Sequence, residues 1–210
     1  MTEVERRVGN TWAVIPVKNP ADAKQRLSGA LEQVPREGLF RAMVTDVLQA
    51  LADATALAGV LVVTRDEAIQ EMALGHGMGV YEETRNDGHT QAVQRGIDEL
   101  MRVGASSILT MPGDIPLVTG EEIDTLVGTH EPAPAISIAP AGDEQGTNGI
   151  VLSPPDVITL HFGNNSYFPH VDSARARGIE PKIVPLRGFA LDVDRPDDLA
   201  EFRANASRQV

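Results

Sequence analysis

The chain has no cysteine. That absence excludes a disulfide framework and a thiolate metal site, and it removes the most nucleophilic side chain. No apolar run approaches the roughly 20 residues of a membrane span. The opening segment MTEVERRVGN lacks the apolar core of a signal peptide, so residues 1–10 are expected to form a flexible tail and the protein to be cytoplasmic. Basic residues are few: 18 Lys and Arg stand against 30 Asp and Glu, a net charge of -12. Nucleic-acid binding needs a basic stripe, and this composition disfavours it. A small anionic ligand is still allowed, because a local cationic pocket focuses such a ligand against the overall field. Two catalytic signatures are also missing: there is no Gly-x-Ser-x-Gly elbow and no eight-residue Walker phosphate loop.

What is present is an ordinary globular composition, 42% hydrophobic and 23% charged, and 210 residues suffice for one large α/β domain. Strands are expected at 12–17, 60–64, 78–81, 106–111, 135–139, 150–152, 182–185 and 189–193. Helices are expected at 35–54, 66–74, 90–103, 120–129, 166–177 and 195–205. Asp66 stands at an N-cap position, and Thr119 with Glu122 has the spacing of a capping box. In the helix at 90–103 the inward face is assigned to Ala92, Val93, Ile97, Leu100 and Met101. Strands alternating with helices imply a three-layer α/β fold, a mostly parallel sheet with helices on both faces. No internal repeat or long linker divides the chain, so a single domain over 11–210 is expected. The stretch 140–169, rich in Gly, Asn and Pro, breaks the alternation and is read as loops on the ligand side.

Three groups of residues carry chemistry. The first is the loop IPVKNPADAKQRLS, which leaves the first strand with Lys18, Lys24 and Arg26 opposed only by Asp22. Ligands of open α/β sheets bind beyond the carboxyl ends of strands, so three cations there make a seat for a polyphosphate. Lys18 suits a phosphate as a point charge, and Arg26 offers a two-pronged fork. For any single Lys, a solvated loop charge is the simpler reading. The second group is carboxylic. Asp114 follows a buried strand between Pro112 and Pro116, which hold it stiffly. Asp192 and Asp194 lie in Leu-Asp-Val-Asp-Arg-Pro; alternating on a strand, they would share one face and need a cation between them. Magnesium suits such a pair with substrate phosphates. An Asp-x-Asp pair also arises by chance, and Asp194 is equally placed to cap the helix beginning near Pro196. The third group is neutral. Glu144-Gln-Gly-Thr-Asn-Gly and Phe162-Gly-Asn-Asn-Ser-Tyr-Phe-Pro-His offer backbone N–H groups at Gly146 and Gly163 and hydroxyls at Thr147 and Ser166. Such donors cradle a phosphate or carboxylate, although the same residues also make plain turns. His161 and His170 are read as structural.

Together, IPVKNPADAKQRL, MPGDIPL, QGTNGIVL, FGNNSYFPH and LDVDRPDDL resemble the 2-phospho-L-lactate guanylyltransferase family of coenzyme F-420 biosynthesis, in the family's order and over nearly the whole chain. The resemblance implies a nucleotidyltransferase-like, Rossmann-like fold, GTP as donor, Mg2+ as cofactor and a phosphorylated three-carbon acid as acceptor, with a homodimer as a further expectation. It places nucleotide-phosphate contacts on Lys18, Lys24 and Arg26, metal carboxylates on Asp114, Asp192 and Asp194, and acceptor contacts on Thr147, Gly163 and Ser166. One departure stands out: many members read Gly-Leu-Asn-x-Ala-Val where this chain has Gly88-His89-Thr90-Gln91-Ala92-Val93. That variant looks like the branch associated with 3-phospho-D-glycerate rather than 2-phospho-L-lactate or phosphoenolpyruvate. Two other readings are a sugar-phosphate or molybdenum-cofactor nucleotidyltransferase, and a non-catalytic nucleotide-binding module. The first expects a Gly-rich opening loop that is absent here. The second leaves the three Asp residues without a purpose.

Overall fold

A computed structural model describes residues 11–85, 87–163 and 165–206; the expected tail at 1–10 lies outside them. The strands are β1 (Thr11–Pro16), β2 (Gly59–Thr64), β3 (Gly79–Glu82), β4 (Ser107–Thr110), β5 (Ala135–Pro140), β6 (Thr147–Ser153) and β7 (Lys182–Ile183). The helices are α1 (Gln33–Asp53), α2 (Glu67–Gly75), α3 (His89–Arg102), α4 (Gly120–Gly128), α5 (Tyr167–Ala176), α6 (Arg187–Ala190) and α7 (Pro196–Ala206). One sheet has the order β3-β2-β1-β4-β6-β5-β7. β6 runs antiparallel to β4 and β5, and every other pair is parallel.

The central strands read as continuous apolar runs because both faces of the sheet are covered. Successive β1 residues serve opposite cores: Ala13 and Ile15 join the cluster containing Val47 of α1, Ile69 of α2, Ile123 of α4 and Leu199 of α7. Val14 joins the other, with Val93 and Ile97 of α3 and Val171 and Ala174 of α5. The three layers follow from that alternation. β1 sits between β2 and β4, so the chain leaves it toward one neighbour and returns on the other side. A crevice opens at such a point, beyond the carboxyl ends of β1 and β4.

Local signals are realised where they are short-ranged. Asp66 caps α2, its side chain accepting from Ile69 N at 3.1 Å. Thr119 and Glu122 form both halves of the capping box on α4. Gly88, at φ +91°, supplies the left-handed entry to α3.

Four expectations are corrected. The segment expected as a strand at 189–193 is the short helix α6 followed by extended chain outside the sheet. That segment is held instead by the Glu122 and Asn148 side chains, which bond the backbone of Gly188 and Phe189. The strand at 150–152 is longer, starting at Thr147, because it pairs with both β4 and β5; part of the stretch read as loops is therefore sheet. β7 stops at Ile183 rather than 185. Met101 is 38% exposed rather than inward: the buried stripe of α3 ends at Leu100, next to the carboxyl-terminal turn.

α3 lies close against the sheet through Gly96, where a Cβ would stand 2.5 Å from Val14 Cγ1 and 2.9 Å from Val63 Cγ2. Gly96→Ala should therefore destabilise by about 1–3 kcal/mol through overpacking, although Ala is the better helix former. An unchanged urea midpoint would show that α3 relaxes away freely.

Candidate active site

Beyond β1 the backbone makes two tight turns, Pro20–Asp22 and Gln25–Leu27. The Asn19 side chain caps the first, accepting from Ala21 N at 2.9 Å. Lys24 joins the turns at φ +54°, a left-handed conformation that costs a non-glycine residue free energy. The conformation aims its side chain inward, where the residue is only 7% exposed. The ammonium donates to Asp114 Oδ2 at 2.5 Å and Asp194 Oδ1 at 2.8 Å. Burial lowers the Lys24 pKa, but the two carboxylates outweigh it and hold the group above its ordinary value. Arg26 lies outside this pair, more than half exposed, with Nη1 3.3 Å from Asp194 Oδ2. Lys18 stands exposed on the rim of the cleft. Lys24, Arg26, Asp114 and Asp194 thus form one interlocked cluster, with Lys18 outside it.

Asp192 and Asp194 reach this cluster without a strand to align them. Their segment is tied down by other contacts. Gly188 N donates to Glu122 Oε1 at 2.8 Å. Buried Asn148 Nδ2 donates to Phe189 O at 2.8 Å. Gly142 N donates to Ala190 O at 2.7 Å, and Val193 N to Asp114 O at 3.3 Å. A Cβ at residue 188 would run into Glu122 Oε2 and Leu117 O, so the approach requires glycine. Asp194 does not cap α7. Asp198 Oδ2 does so instead, accepting from Asp194 N at 3.0 Å and Arg195 N at 2.7 Å. Glu122 and Asn148 were not singled out as site residues from the sequence. Glu122 was legible only as a capping-box member, and Asn148 only as part of the QGTNG stretch.

The carboxylates are electrostatically unequal. Burial raises the Asp194 carboxyl, but Lys24, then Arg26 and Lys18, hold it below the usual range. Asp192 is pushed up by burial and by the neighbouring Asp114 and Asp194 charges. Among the described residues no group of three or more His, Asp or Glu side chains stands close enough to hold a metal ion. Two carboxylates do converge on one cation position, which the Lys24 ammonium fills.

Thr147 and Ser166 meet on the β6 side. Thr147 N donates to Ser166 Oγ at 3.0 Å, leaving the hydroxyl hydrogen to point elsewhere. His170 is fully buried behind them. Its Nε2 accepts from His161 N at 3.1 Å, so the proton resides on Nδ1 and is donated to Thr147 Oγ1 at 3.0 Å. Burial pushes this imidazole down to about 4, with His161 adding to the shift. His170 therefore serves as a neutral strut that frees the Thr147 hydroxyl to donate into the cleft. Gly163 is exposed with φ +144° in the same loop.

His89 and Thr90, the departure noted above, fall where the two halves meet. Thr90 Oγ1 accepts from Phe162 N at 3.1 Å. The His89 ring stands edge-on to Phe162 with centroids 4.8 Å apart. Burial pushes His89 down to about 4, Asp114 opposing and Lys18 adding to it, so it too is neutral at pH 7. Lys18, Lys24, Arg26, Asp114, Asp192 and Asp194 line one open cleft of about 1850 Å³ together with Thr147, Gly163 and Ser166. Drug-sized pockets are about 300–1,000 Å³, so this cleft has room for two substrates.

A family model described as Guanylyl transferase CofC like matches residues 11–207. A phosphoenolpyruvate guanylyltransferase of Conexibacter woesei is 36% identical over 195 residues, covering 92% of this chain and 87% of the relative. A 2-phospho-L-lactate guanylyltransferase of Methanothermobacter thermautotrophicus is 36% identical, with 91% and 83% covered. A 3-phospho-D-glycerate guanylyltransferase of Colwellia psychrerythraea is 33% identical, with 90% and 89% covered. Among solved structures, a nucleotidyl transferase from Methanothermobacter superposes with a TM-score of 0.67 at 15% identity, covering 95% of this chain and 99% of that one. A 4-diphosphocytidyl-2C-methyl-D-erythritol synthase does so at 0.65 and 14%, with 92% and 96% covered. These likenesses establish the nucleotidyltransferase-like fold.

The neutral His170 strut makes stability depend on pH. Its folded pKa of about 4 lies below the ordinary 6.5, so its contribution is full above pH 6.5 and is lost as pH falls toward 4. By pH 5 the loss should reach about 1–2 kcal/mol. Denaturant melts at pH 7 and pH 5 should show a smaller drop for His170→Gln than for the wild type; equal drops would reject the assignment.

Proposed function

We propose that this chain, which belongs to the guanylyl transferase CofC like family, moves a guanylyl group from GTP to the phosphate of a phosphorylated three-carbon acid and releases pyrophosphate. As a member of that family it is a nucleotidyltransferase. The observation that carries the reading is one cleft in which the Lys24, Asp114 and Asp194 cluster faces the Thr147 and Ser166 hydroxyls. One half suits a polyphosphate and the other a smaller anion.

In this reading an oxygen of the acceptor's phosphate attacks the α-phosphorus of GTP. A new P–O bond forms, the α–β bridge breaks, and its electron pair leaves on pyrophosphate. A phosphate monoester has its second pKa near 6, so at neutral pH the nucleophile is already largely anionic and needs no base. That agrees with the histidines: His170 has both ring nitrogens engaged, and His89 is neutral. The chain's task is positioning and charge neutralisation. Lys24, a buried ammonium, stabilises charge on the transferring group, while Lys18 and Arg26 hold the outer phosphates. The Thr147 and Ser166 hydroxyls and the Gly163 backbone orient the acceptor.

The donor set also fits magnesium, which takes one or two carboxylates plus substrate phosphates and needs no complete protein cage. Asp114 and Asp194 already surround a cation position, and Asp192 beside them is short of positive charge. One or two of Asp114, Asp192 and Asp194, with substrate phosphates completing the shell, would hold the ion in place of the Lys24 ammonium. Bound there, it would neutralise phosphate charge.

The acceptor is proposed as a class. The Gly88-His89-Thr90 segment favours 3-phospho-D-glycerate, whereas relatives named for all three acids stand at 33–36% identity. A place in coenzyme F-420 biosynthesis goes with this reading. ATP, GTP, CTP and UTP, each paired with each of the three acids and followed by pyrophosphate release, should give turnover only with GTP and at least one acid. Release supported only by a sugar phosphate would defeat the acceptor class. Asp192→Ala should lower kcat at least a hundredfold with an unchanged melting temperature. Turnover near wild type would remove Asp192 from the metal role.

A further inference from the structure

The two sides of β1 are not equivalent. The β4 and β6 side carries Thr147 and Ser166, the seat assigned to the acceptor. On the β2 and β3 side a second, narrow cleft is lined by Pro16, Lys18, Arg65, Glu83, His89 and Ala92. Pro16, Lys18 and His89 also line the main cleft, so the two are continuous. A nucleotide with its phosphates at Lys18 and Lys24, and the acceptor on the β6 side, brings its base to the mouth of this second cleft.

The cleft is tight, with about 20 Å³ of free space, so a base has to open it. Buried Pro16 and Ala92 give an apolar floor, and the neutral His89 ring forms part of the wall. The outer wall is Lys18 and Arg65, both exposed, so a purine enters by displacing long side chains rather than backbone. Glu83 is the carboxylate inside. Its side chain is only 9% exposed. Glu83 N donates to Thr64 O at 3.1 Å, which fixes the backbone to the end of β2. Arg95 Nη1 donates to Oε1 at 3.1 Å, and the same guanidinium grips Asp87, so the carboxylate is held in place. Among the described residues nothing hydrogen-bonds Oε2. A carboxylate oxygen accepts more than one hydrogen bond, so Oε1 keeps capacity beyond Arg95. Burial, aided by Asp87, raises the Glu83 carboxyl despite Arg95 and Arg65.

We propose that Glu83 reads the guanine of GTP, its carboxylate accepting from the N1–H and the C2 amino group; this rests on the guanylyl-transfer reading above. Those two adjacent donors match two carboxylate oxygens. Adenine offers a lone pair at N1 and no C2 amino group, so it meets the carboxylate with repulsion. Xanthine keeps N1–H but carries a carbonyl at C2. A glutamine at this position, with one acceptor and one donor, therefore matches xanthine.

The test measures kcat/KM for GTP, ITP, XTP and ATP with whichever acid supports wild-type turnover. Glu83→Gln should lose roughly ten- to a hundredfold with GTP and gain with XTP, reversing the preference. A variant that keeps the wild-type ratio of GTP to XTP overturns the proposal and leaves the Glu83–Arg95 pair as a tie between β3 and α3. If the variant does not fold, the wild type alone decides. ITP lacks the C2 amino group and should be used about tenfold less well than GTP, whereas equal use overturns the proposal. Wild-type turnover with GTP separates a failure of this inference from a failure of the parent reading, which falls if no guanine nucleotide is used with any acid.

Discussion

The site depends on one buried ammonium. Lys24 is held in a left-handed backbone conformation and almost sealed from water, and neither condition is tolerable without compensation. The compensation is Asp114 from the loop after β4 and Asp194 from the chain after α6. Three segments that are remote in sequence, separated by 90 and 170 positions from Lys24, must therefore meet at one point. A buried ion pair is weak evidence for stability, because desolvation offsets most of its attraction. It is better understood as a constraint on position. It brings the carboxylates to the carboxyl ends of β1 and β4, where an open α/β sheet accepts its ligand.

Around that point the rest of the site is arranged by neutral groups. His170, Thr147 and Ser166 form a chain of hydrogen bonds in which each acceptor role leaves a hydroxyl hydrogen to face the cleft. His89 and Thr90 connect the amino end of α3 to the loop at Phe162 and Gly163. A change at the start of α3 thus acts on the loop at Phe162 and Gly163 as well. The relatives bear different acceptor names at similar identity. Neutral histidines also suit a transfer whose nucleophile arrives ionised.

Much of this was legible in the sequence because the signals are local. The capping residues Asp66 and Thr119, the period of α1, and the β-branched runs of β1 and β2 act through neighbours within a few positions. The cations and carboxylates were legible as chemistry beside strand ends. The arrangement between them was not. The segment holding Asp192 and Asp194 reads as an alternating strand, but it lies outside the sheet. It is held instead by Glu122, Asn148 and two backbone contacts. Glu122 has one local role and one long-range role, and only the first leaves a pattern in sequence. Met101 failed for a different reason: about 100° round the helix from Leu100, it lies on the flank of the buried stripe rather than in it.

The sequence by itself determined the class of the fold, the position of the cleft at strand ends, and the family, because periodicity, capping and ordered motifs are properties of short stretches. It also showed which residue types suit a polyphosphate and a small anion. Tertiary structure alone decided that Lys24 sits between Asp114 and Asp194 rather than across from them, that His170 is a neutral strut, and that Glu83 lines a second cleft beside Lys18. Those outcomes depend on desolvation and on hydrogen-bond geometry between distant segments, and neither quantity exists until the sheet has brought the segments together.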